Sequence, residues 1–153
     1  MTQEGLDEIV ISHGLWLQRR EGGQKAELTH ANLIGVKLEG ADLRRANLFK
    51  ADLSGADLTG ADLRFTTLNH ANLTYANLKG ACLIGAFLKN AKLINTILVN
   101  ASLRCADLRG ADFSNADLSG ADLSKSKYGR AKFTDANLTG AILKERIYAN
   151  KTI

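Results

Sequence analysis

Proline is absent from the sequence, and the only two cysteines are Cys82 and Cys105. Without proline, no position inside the chain lacks a backbone N–H, so every residue can join a hydrogen-bonded ladder. No apolar run approaches the roughly 18 residues of a membrane-spanning helix, which predicts that the chain does not cross a membrane. The polar start, Met1-Thr2-Gln3-Glu4, lacks the basic region and apolar stretch of a secretion signal. We therefore expect a cytoplasmic protein.

A five-residue pattern fills most of the chain. From residue 26 to residue 145 the sequence divides into 24 consecutive pentads without an insertion or deletion, of the form small, polar, Leu, variable, turn. The third position is Leu in all but three pentads, which have Phe113, Tyr128 and Phe133. The first position is Ala in all but four, which have Val36, Thr66, Thr96 and Ser126. Self-similarity this strict indicates a repeat architecture.

The geometry of one pentad follows from its period. A period of five fits neither a helix nor a strand, so the chain must turn once in every pentad. The first and third residues, such as Ala31 and Leu33, lie two apart and point to the same side of an extended backbone, which we assign to the interior. The second position points outward. The fourth and fifth positions form the corner, where the frequent Gly or Asn supplies the positive φ that a type II turn requires.

Four corners close a square, so one coil takes 20 residues and the pentads form about six coils. Stacked at the strand spacing of about 4.8 Å, these coils predict a rod roughly 29 Å long. Ala accompanies the interior Leu column because a narrow square leaves little room for a larger residue. The sequence therefore predicts a single domain with an all-β solenoid, a quadrilateral β-helix, over residues 26–150 and a short tail at 151–153.

The pentads resemble those of the pentapeptide-repeat family, as in Ala51-Asp52-Leu53-Ser54-Gly55 and Ala136-Asn137-Leu138-Thr139-Gly140. The resemblance covers about four-fifths of the chain and implies a right-handed quadrilateral β-helix. It implies no activity, because one fold hosts many functions. Some members protect DNA gyrase by imitating duplex DNA with a long acidic surface, so this function is an alternative that the charges must decide.

Residues 1–25 do not fit the pattern and predict an N-terminal α-helical cap that ends at a Gly22-Gly23 turn. Apolar residues recur there at helical spacing: Leu6, Ile9, Val10, Trp16 and Leu17, with His13 among them. The open end of a β-helix exposes unpaired backbone and Leu side chains that a cap has to cover. We expect Trp16 and its apolar neighbours to do so; a helix that binds a partner is the alternative.

The two cysteines are predicted to remain free. In the 20-residue register Cys82 and Cys105 lie on one face, one coil apart, but offset by three residues along the strand, or roughly 10 Å. That separation exceeds the range of a disulfide, which favours free thiols in a reducing compartment.

No group of side chains in this register forms a catalytic or metal site. His30 and His70 lie two coils apart, about 10 Å, with Lys50 between them, which is too far for one metal ion. No serine has a histidine within reach, and the corner turns account for the glycines. We therefore predict neither an enzyme nor a cofactor.

Outward positions become apolar around the third and fourth coils, where the pattern expects polar residues. We name this set the apolar girdle: Tyr75, Ile84, Phe87, Ile94, Ile97 and Val99. Ile97 and Val99 flank Leu98 on one face. Contiguous exposed apolar groups indicate a contact surface, although single ones also occur without a function.

A basic face is the second candidate surface. Its residues are Arg44, Arg45, Arg64, Arg104, Lys125 and Lys144, with Phe65 on the same face. Ile84 interrupts the column and Asp42, Asp62, Asp122 and Glu145 are mixed with it, so a solvated mixed surface is favoured over weak nucleic-acid binding.

Net charge changes sign repeatedly along the rod, running 0, −1, +1, +3, −2 and +2 over the six coils from residue 26. A DNA mimic needs a continuous negative stripe in place of phosphates, which charges of changing sign do not provide. The sequence therefore predicts a non-catalytic scaffold, monomeric or weakly dimeric, that presents a rigid surface to an unidentified protein partner. Gyrase protection and nucleic-acid binding remain the alternatives.

Overall fold

The computed structural model describes residues 1–143, in which one α-helix precedes a solenoid. The helix, α1, is Gln3–Leu17. In place of continuous strands, single parallel β-bridges join each second-position residue to its equivalent twenty residues on, from Glu27↔Asn47 to Asp122↔Ile142. Coil 1 therefore begins at residue 26 and each later coil twenty residues on. We number the four successive pentads of a coil as faces 1 to 4.

Backbone hydrogen bonds tie each pentad to both neighbouring coils. In pentad 51–55 the N–H groups of Asp52, Leu53 and Gly55 donate to carbonyl oxygens of adjacent coils at 2.7–2.9 Å. The N–H of each first-position residue closes the preceding turn on the third-position carbonyl, as from Ala56 to Leu53 at 3.0 Å. Four of the five N–H groups of a pentad are thus satisfied by backbone alone, which leaves the fourth position.

Every corner has the same backbone conformation. From His30 to Gly140, each fifth-position residue has a φ between 55° and 71°. A positive φ at the third turn residue, but not at the second, is the type II geometry that the sequence predicts. Side chains as large as those of Phe65 and Tyr75 accept it, so inter-coil bonding outweighs the local preference for Gly or Asn.

The interior is the predicted column of third-position and first-position side chains. Third-position leucines from Leu33 to Leu123 are almost fully buried. In the later coils aromatic rings replace leucine, and Phe113 and Phe133 stack one coil apart with ring centroids 5.1 Å apart. The hydroxyls of Thr66 and Thr96 donate to the carbonyl oxygens of Leu43 and Leu73, 23 residues earlier, at 2.7 and 2.8 Å, which makes a polar group tolerable at a buried first position. Nothing in the structure explains the 30-residue spacing of the non-Ala residues.

The interior becomes accessible at the last described coil. Tyr128, Phe133 and Leu138 are half-buried there, and Leu143 is exposed. Together with Ala131 they line an open apolar concavity of about 430 Å³. The predicted final pentad at 146–150, the tail at 151–153 and Lys144 of the basic face lie outside the described residues.

Helix α1 ends earlier than predicted. Its last residue is Leu17, and the chain leaves the helix through a Schellman motif in which Arg19 has a φ of 55°. The N–H of Arg19 donates to Trp16 at 3.0 Å and that of Arg20 to Leu15 at 2.9 Å. The prediction that Gly22-Gly23 ends the helix is therefore wrong. Gly23 instead passes so close to the helix that a Cβ there would clash with the backbone nitrogen of Trp16.

Candidate interaction surfaces

His13 fastens α1 to the solenoid. Its side chain is fully buried. Nδ1 accepts a hydrogen bond from the Ala26 N–H at 3.1 Å, and Nε2 lies 3.0 Å from the Arg44 carbonyl oxygen. Since Nδ1 accepts, Nε2 carries the proton and donates to Arg44. Burial lowers the pKa of His13, which favours the neutral ring that both contacts need.

Gln3 and the chain terminus complete the open edge of coil 1. The Gln3 amide accepts from the Lys37 N–H and donates to the Lys37 carbonyl, both at 2.9 Å. The ammonium group of Met1 lies 3.4 Å from the Asn32 carbonyl oxygen. In later coils the corresponding backbone groups bond to the preceding coil. Polar groups of Gln3 and Met1 thus take the place of a preceding coil.

The apolar part of the cap differs from the prediction. Leu6 is fully buried in the core, and Ile9 and Val10 pack against it. Trp16 and Leu17 are half-buried and lie outside that cluster; Trp16 stacks on the His13 ring at 5.4 Å between centroids. Leu6 rather than Trp16 is therefore the helix residue that is buried in the core at this end of the rod.

The second-position Asp and Asn residues share one local role. Each accepts, through Oδ1, a hydrogen bond from the backbone N–H two residues on, at 2.9–3.3 Å. The set is Asn32, Asp42, Asn47, Asp52, Asp57, Asp62, Asn72, Asn77, Asp107, Asp112, Asp117, Asp122 and Asn137. This Asx turn satisfies the fourth-position N–H, the one that neighbouring coils do not reach.

Hydrogen bonds at three of these turns lower the pKa of the carboxyl group. Hydrogen bonds from the hydroxyls of Thr59 and Ser114 lower the pKa values of Asp57 and Asp112. The Ser119 N–H does the same for Asp117. The acidic residues of the rod are thus explained by local structure before any function is assigned to them.

Five successive pentads, residues 81–105, lack this turn, and we name them the Asx-free segment. Their second positions are Cys82, Phe87, Lys92, Ile97 and Ser102. Five of the six girdle residues, all except Tyr75, lie in residues 81–105, either at the second position or two residues after it. The apolar girdle is therefore the part of the rod where the outward side chain no longer serves the backbone.

The girdle encircles the rod and does not form one flat patch. Phe87 lies on face 1 and Ile97 on face 3, so they point to opposite sides of the square. Ile94 on face 2 comes next to the Ile97 and Val99 pair, and Tyr75 lies on face 2 one coil earlier; Ile84 lies on face 4. Tyr75, Phe87 and Ile97 are exposed, whereas Ile84, Ile94 and Val99 are half-buried.

Ion pairs occupy much of the predicted basic face. Arg44 and Arg64 each place Nη2 2.6 Å from the carboxylate two residues before them, Asp42 and Asp62. Arg104 lies 3.8 Å from Asp122. Among the face residues that the structure describes, Arg45 and Lys125 have no carboxylate within 4 Å.

A cluster of side chains around Phe49 was not predicted from the sequence, because it depends on contacts between coils. The Phe49 ring meets His30 and His70 edge-on, with centroids 5.9 and 5.8 Å away. Lys50 Nζ lies 5.3 Å from the centre of the same ring. The sequence predicts these histidines and Lys50 to be separate solvated residues, whereas in the structure all three lie around the Phe49 ring at the corner of faces 1 and 2.

Other chemistry is sparse in the described part of the chain. Cys82 and Cys105 are both free thiols, the first half-buried and the second exposed. Residues 1–143 contain no group of three or more His, Cys, Asp or Glu side chains placed to hold a metal ion. Within the same range, α1 is too short and too polar to span a bilayer.

Comparison with known proteins agrees with this architecture. Rfr23, a pentapeptide repeat protein from the cyanobacterium Cyanothece 51142, is 32% identical over 68% of this chain, with a TM-score of 0.51. The match spans 65% of the Rfr23 chain, a little under two thirds of it. A trypsin-treated form of QnrB1, a plasmid-mediated fluoroquinolone resistance protein, is 23% identical over 78% of this chain and 70% of its own, with a TM-score of 0.58. At that identity the likeness to QnrB1 concerns the fold alone, and no curated protein matches the sequence.

The model of pentapeptide repeats matches the chain in eight copies, over residues 26–64, 51–90, 88–124 and 116–145. These segments together span the whole solenoid described above. With the 20-residue bridges and the four turns of each coil, they establish a β-helical solenoid of the right-handed kind. The chain is a member of the pentapeptide-repeat family.

Proposed function

We propose that the rod is a non-catalytic scaffold that binds another protein through Ile94, Ile97 and Val99. One observation carries the proposal. In the face 3 column the second position changes from Asn77 to Ile97 and back to Asp117, and both neighbours make Asx turns. A local hydrogen bond is given up there for a side chain that is 43% exposed to water.

The energetics of such a surface suit modest affinity. Burying an apolar side chain of this size at an interface contributes about 1.5–3 kcal/mol, before the cost of association is subtracted. Ile97 and Val99 lie two positions apart on one face, at the second position and at the corner that follows it, so a single partner surface can contact both. The half-buried Ile94 at the adjoining corner extends the same strip. Two free thiols support the accompanying inference that the protein works in a reducing compartment, the cytoplasm.

The test is a double variant, Ile97→Lys with Val99→Lys, compared with the unchanged protein. We expect the variant to lose a partner in pull-downs from native cell extract, while the melting temperature moves little because the interior is untouched. A matched control, Thr67→Lys with Thr134→Lys, adds the same charge at outward positions that make no Asx turn. Recovery of identical partners by all three proteins would contradict the proposal.

Self-association is a second use of the same strip. Sedimentation of the unchanged protein and the Ile97→Lys, Val99→Lys variant at high concentration tests it. A concentration-dependent dimer that the variant abolishes and the control retains would identify the partner as a second copy of this chain. A monomer at all concentrations leaves the pull-down as the deciding experiment.

Gyrase protection by charge mimicry is disfavoured by the surface. Lys37, Lys79 and Lys92 interrupt the acidic residues of faces 2 and 3, and four of those six carboxylates are engaged in Asx turns. We expect no dose-dependent protection in a supercoiling assay with purified gyrase and a quinolone. Protection would show that the mixed charge of the rod is a poor guide to this activity.

A further inference from the structure

Basic and acidic side chains are also distributed unequally between opposite sides of the rod. Faces 4 and 1, which share a corner, carry ten Lys and Arg side chains between residues 26 and 143: Arg44, Arg45, Lys50, Arg64, Lys89, Arg104, Arg109, Lys125, Lys127 and Arg130. They carry five acidic side chains: Glu27, Asp42, Asp62, Asp107 and Asp122. Faces 2 and 3 have the opposite balance, with four basic and six acidic side chains. We name faces 4 and 1 together the basic side.

The acidic groups of the basic side are all engaged. Glu27 pairs with Lys25. Three of the aspartates pair with an arginine two residues away, and Asp122 pairs with Arg104, eighteen residues earlier. Six cations have no carboxylate within 4 Å among residues 1–143: Arg45, Lys50, Lys89, Lys125, Lys127 and Arg130. They are distributed from coil 1 to coil 6, over about 20 Å at the strand spacing.

Aromatic rings lie among these cations. Of the five phenylalanines, Phe113 and Phe133 are in the interior and the other three, Phe49, Phe65 and Phe87, point outward on the basic side. Phe65 and Phe87 are 52% and 45% exposed. The Phe65 ring lies against the next coil, so close that a Cβ on Gly85 would be 2.7 Å from it. One surface of the ring is thus supported by backbone and another faces water.

We propose that the basic side binds single-stranded nucleic acid. Unpaired cations along one side attract the phosphate backbone, and exposed rings between them provide surfaces on which unstacked bases lie. A duplex keeps its bases stacked and offers nothing to these rings, so phosphate attraction alone would remain. An acidic protein surface would meet the cations and leave the rings without a specific role.

Fluorescence anisotropy with labelled dT20 and rU20 tests the proposal on the full chain. We expect both to bind at 50 mM salt and, if four phosphates are neutralised, to lose about fifty-fold in affinity at 200 mM salt. The two oligonucleotides decide whether DNA or RNA is preferred. Absence of binding to both at 50 mM salt would overturn the proposal.

Matched charge variants locate the site. Lys50→Glu, Lys89→Glu and Lys127→Glu together reverse three cations of the basic side. The control combines Lys37→Glu, Lys79→Glu and Lys92→Glu on faces 2 and 3, with the same change in net charge. We expect the first variant to raise Kd more than about tenfold at 50 mM salt and to reduce the salt slope by about 2, and the control to change Kd less than about threefold. Equal losses would mean attraction by net charge alone and would overturn the site.

Ring variants separate nucleic acid from an acidic protein. Phe65→Ala with Phe87→Ala should weaken dT20 binding by about fivefold or more for each ring engaged by a base. The control is Tyr75→Ala with Ile97→Ala, which removes exposed side chains elsewhere. Binding of a dT20·dA20 duplex or of polyglutamate as tight as that of dT20, without any effect of the ring variants, would overturn the proposal in favour of a general polyanion surface. Thermal melts confirm that each variant is folded.

Discussion

Coils 2 and 5 differ from the Asx-free segment mainly on the outside. All eight pentads of coils 2 and 5 have Asp or Asn at the second position, and each makes an Asx turn. None of the pentads in residues 81–105 does so. The bridges, the inter-coil hydrogen bonds and the buried third-position side chains continue through both regions without a break, with Phe113 in place of one Leu in coil 5.

The comparison shows which part of the pentad the fold requires. The interior and the backbone ladder are needed in every pentad, whereas the Asx turn is a local addition worth on the order of 1 kcal/mol. Five pentads in succession manage without it. The outward position is therefore where such a rod can exchange stability for a surface that serves another purpose.

The largest expected effect tests whether the two regions really share one interior. Leu78→Asp, beside an Asx turn, and Leu98→Asp, in the Asx-free segment, each bury a carboxylate without a partner. Both should cost several kcal/mol and lower the melting temperature sharply. Lys79→Asp, at an exposed corner, is the control. If Leu98→Asp were tolerated like the control, the interior of the Asx-free segment would be differently built.

A smaller effect compares the outward residues of one column. Asp117→Ala removes the acceptor for the Ser119 N–H and for the Asn137 amide, both at 3.0 Å. We expect a loss of about 1 kcal/mol in the free energy of unfolding. Ile97→Ala, one coil earlier in the same column, should cost less because much of the side chain is exposed. Urea midpoints measure both, and equal losses would mean that the Asx turn contributes nothing particular.

Acid sensitivity follows from the same residue. Because its hydrogen bonds lower the pKa of Asp117 below the ordinary 3.8, its contribution to stability is present above pH 3.8 and is lost as the pH falls through the lowered value. Asp117→Asn keeps an amide oxygen for the Ser119 N–H and does not titrate. In thermal melts between pH 6 and pH 2.5 the variant should lose less stability than the unchanged protein. Parallel curves would exclude the carboxylate as the cause.

The smallest expected effect runs in the opposite direction. Ile97→Asn introduces an Asx acceptor where its neighbours in the column have one, and should raise the free energy of unfolding by up to about 1 kcal/mol. The same change should weaken protein binding if the proposed strip is correct. A stabilised protein that keeps its partner would separate the two roles and contradict the proposed function.

The register and the interior could be read from the sequence because the repeat states them many times. Every third-position Leu has an equivalent residue twenty positions before or after it, so Leu93 and Leu98 could be assigned to the interior with no structural information. The local hydrogen bond of Asp117 could also be expected from the sequence, since an outward Asp beside a corner is a common turn acceptor.

The cap and the lateral contacts could not be read in the same way, because each occurs once. The choice of Leu6 over Trp16 depends on the angle at which α1 docks, which no periodicity records. The roles of Gln3 and His13 depend on open backbone groups of coil 1 that exist only after folding. The cluster around Phe49 joins residues of three coils. The unequal charge of the basic side and of faces 2 and 3 could be derived from the 20-residue register, but adding the charges coil by coil conceals it.

The 20-residue register makes length and orientation inseparable. One extra pentad after Gly85 would leave every later Leu in the interior and every ladder intact, yet it would turn all that follows by a quarter of a revolution. Lys89 and Lys127 would then continue face 2, while Phe65 and Arg45 stayed where they are. The core therefore accepts insertions or deletions of five residues. A binding surface on the outside of the rod keeps its arrangement only if the length changes by whole coils of twenty residues.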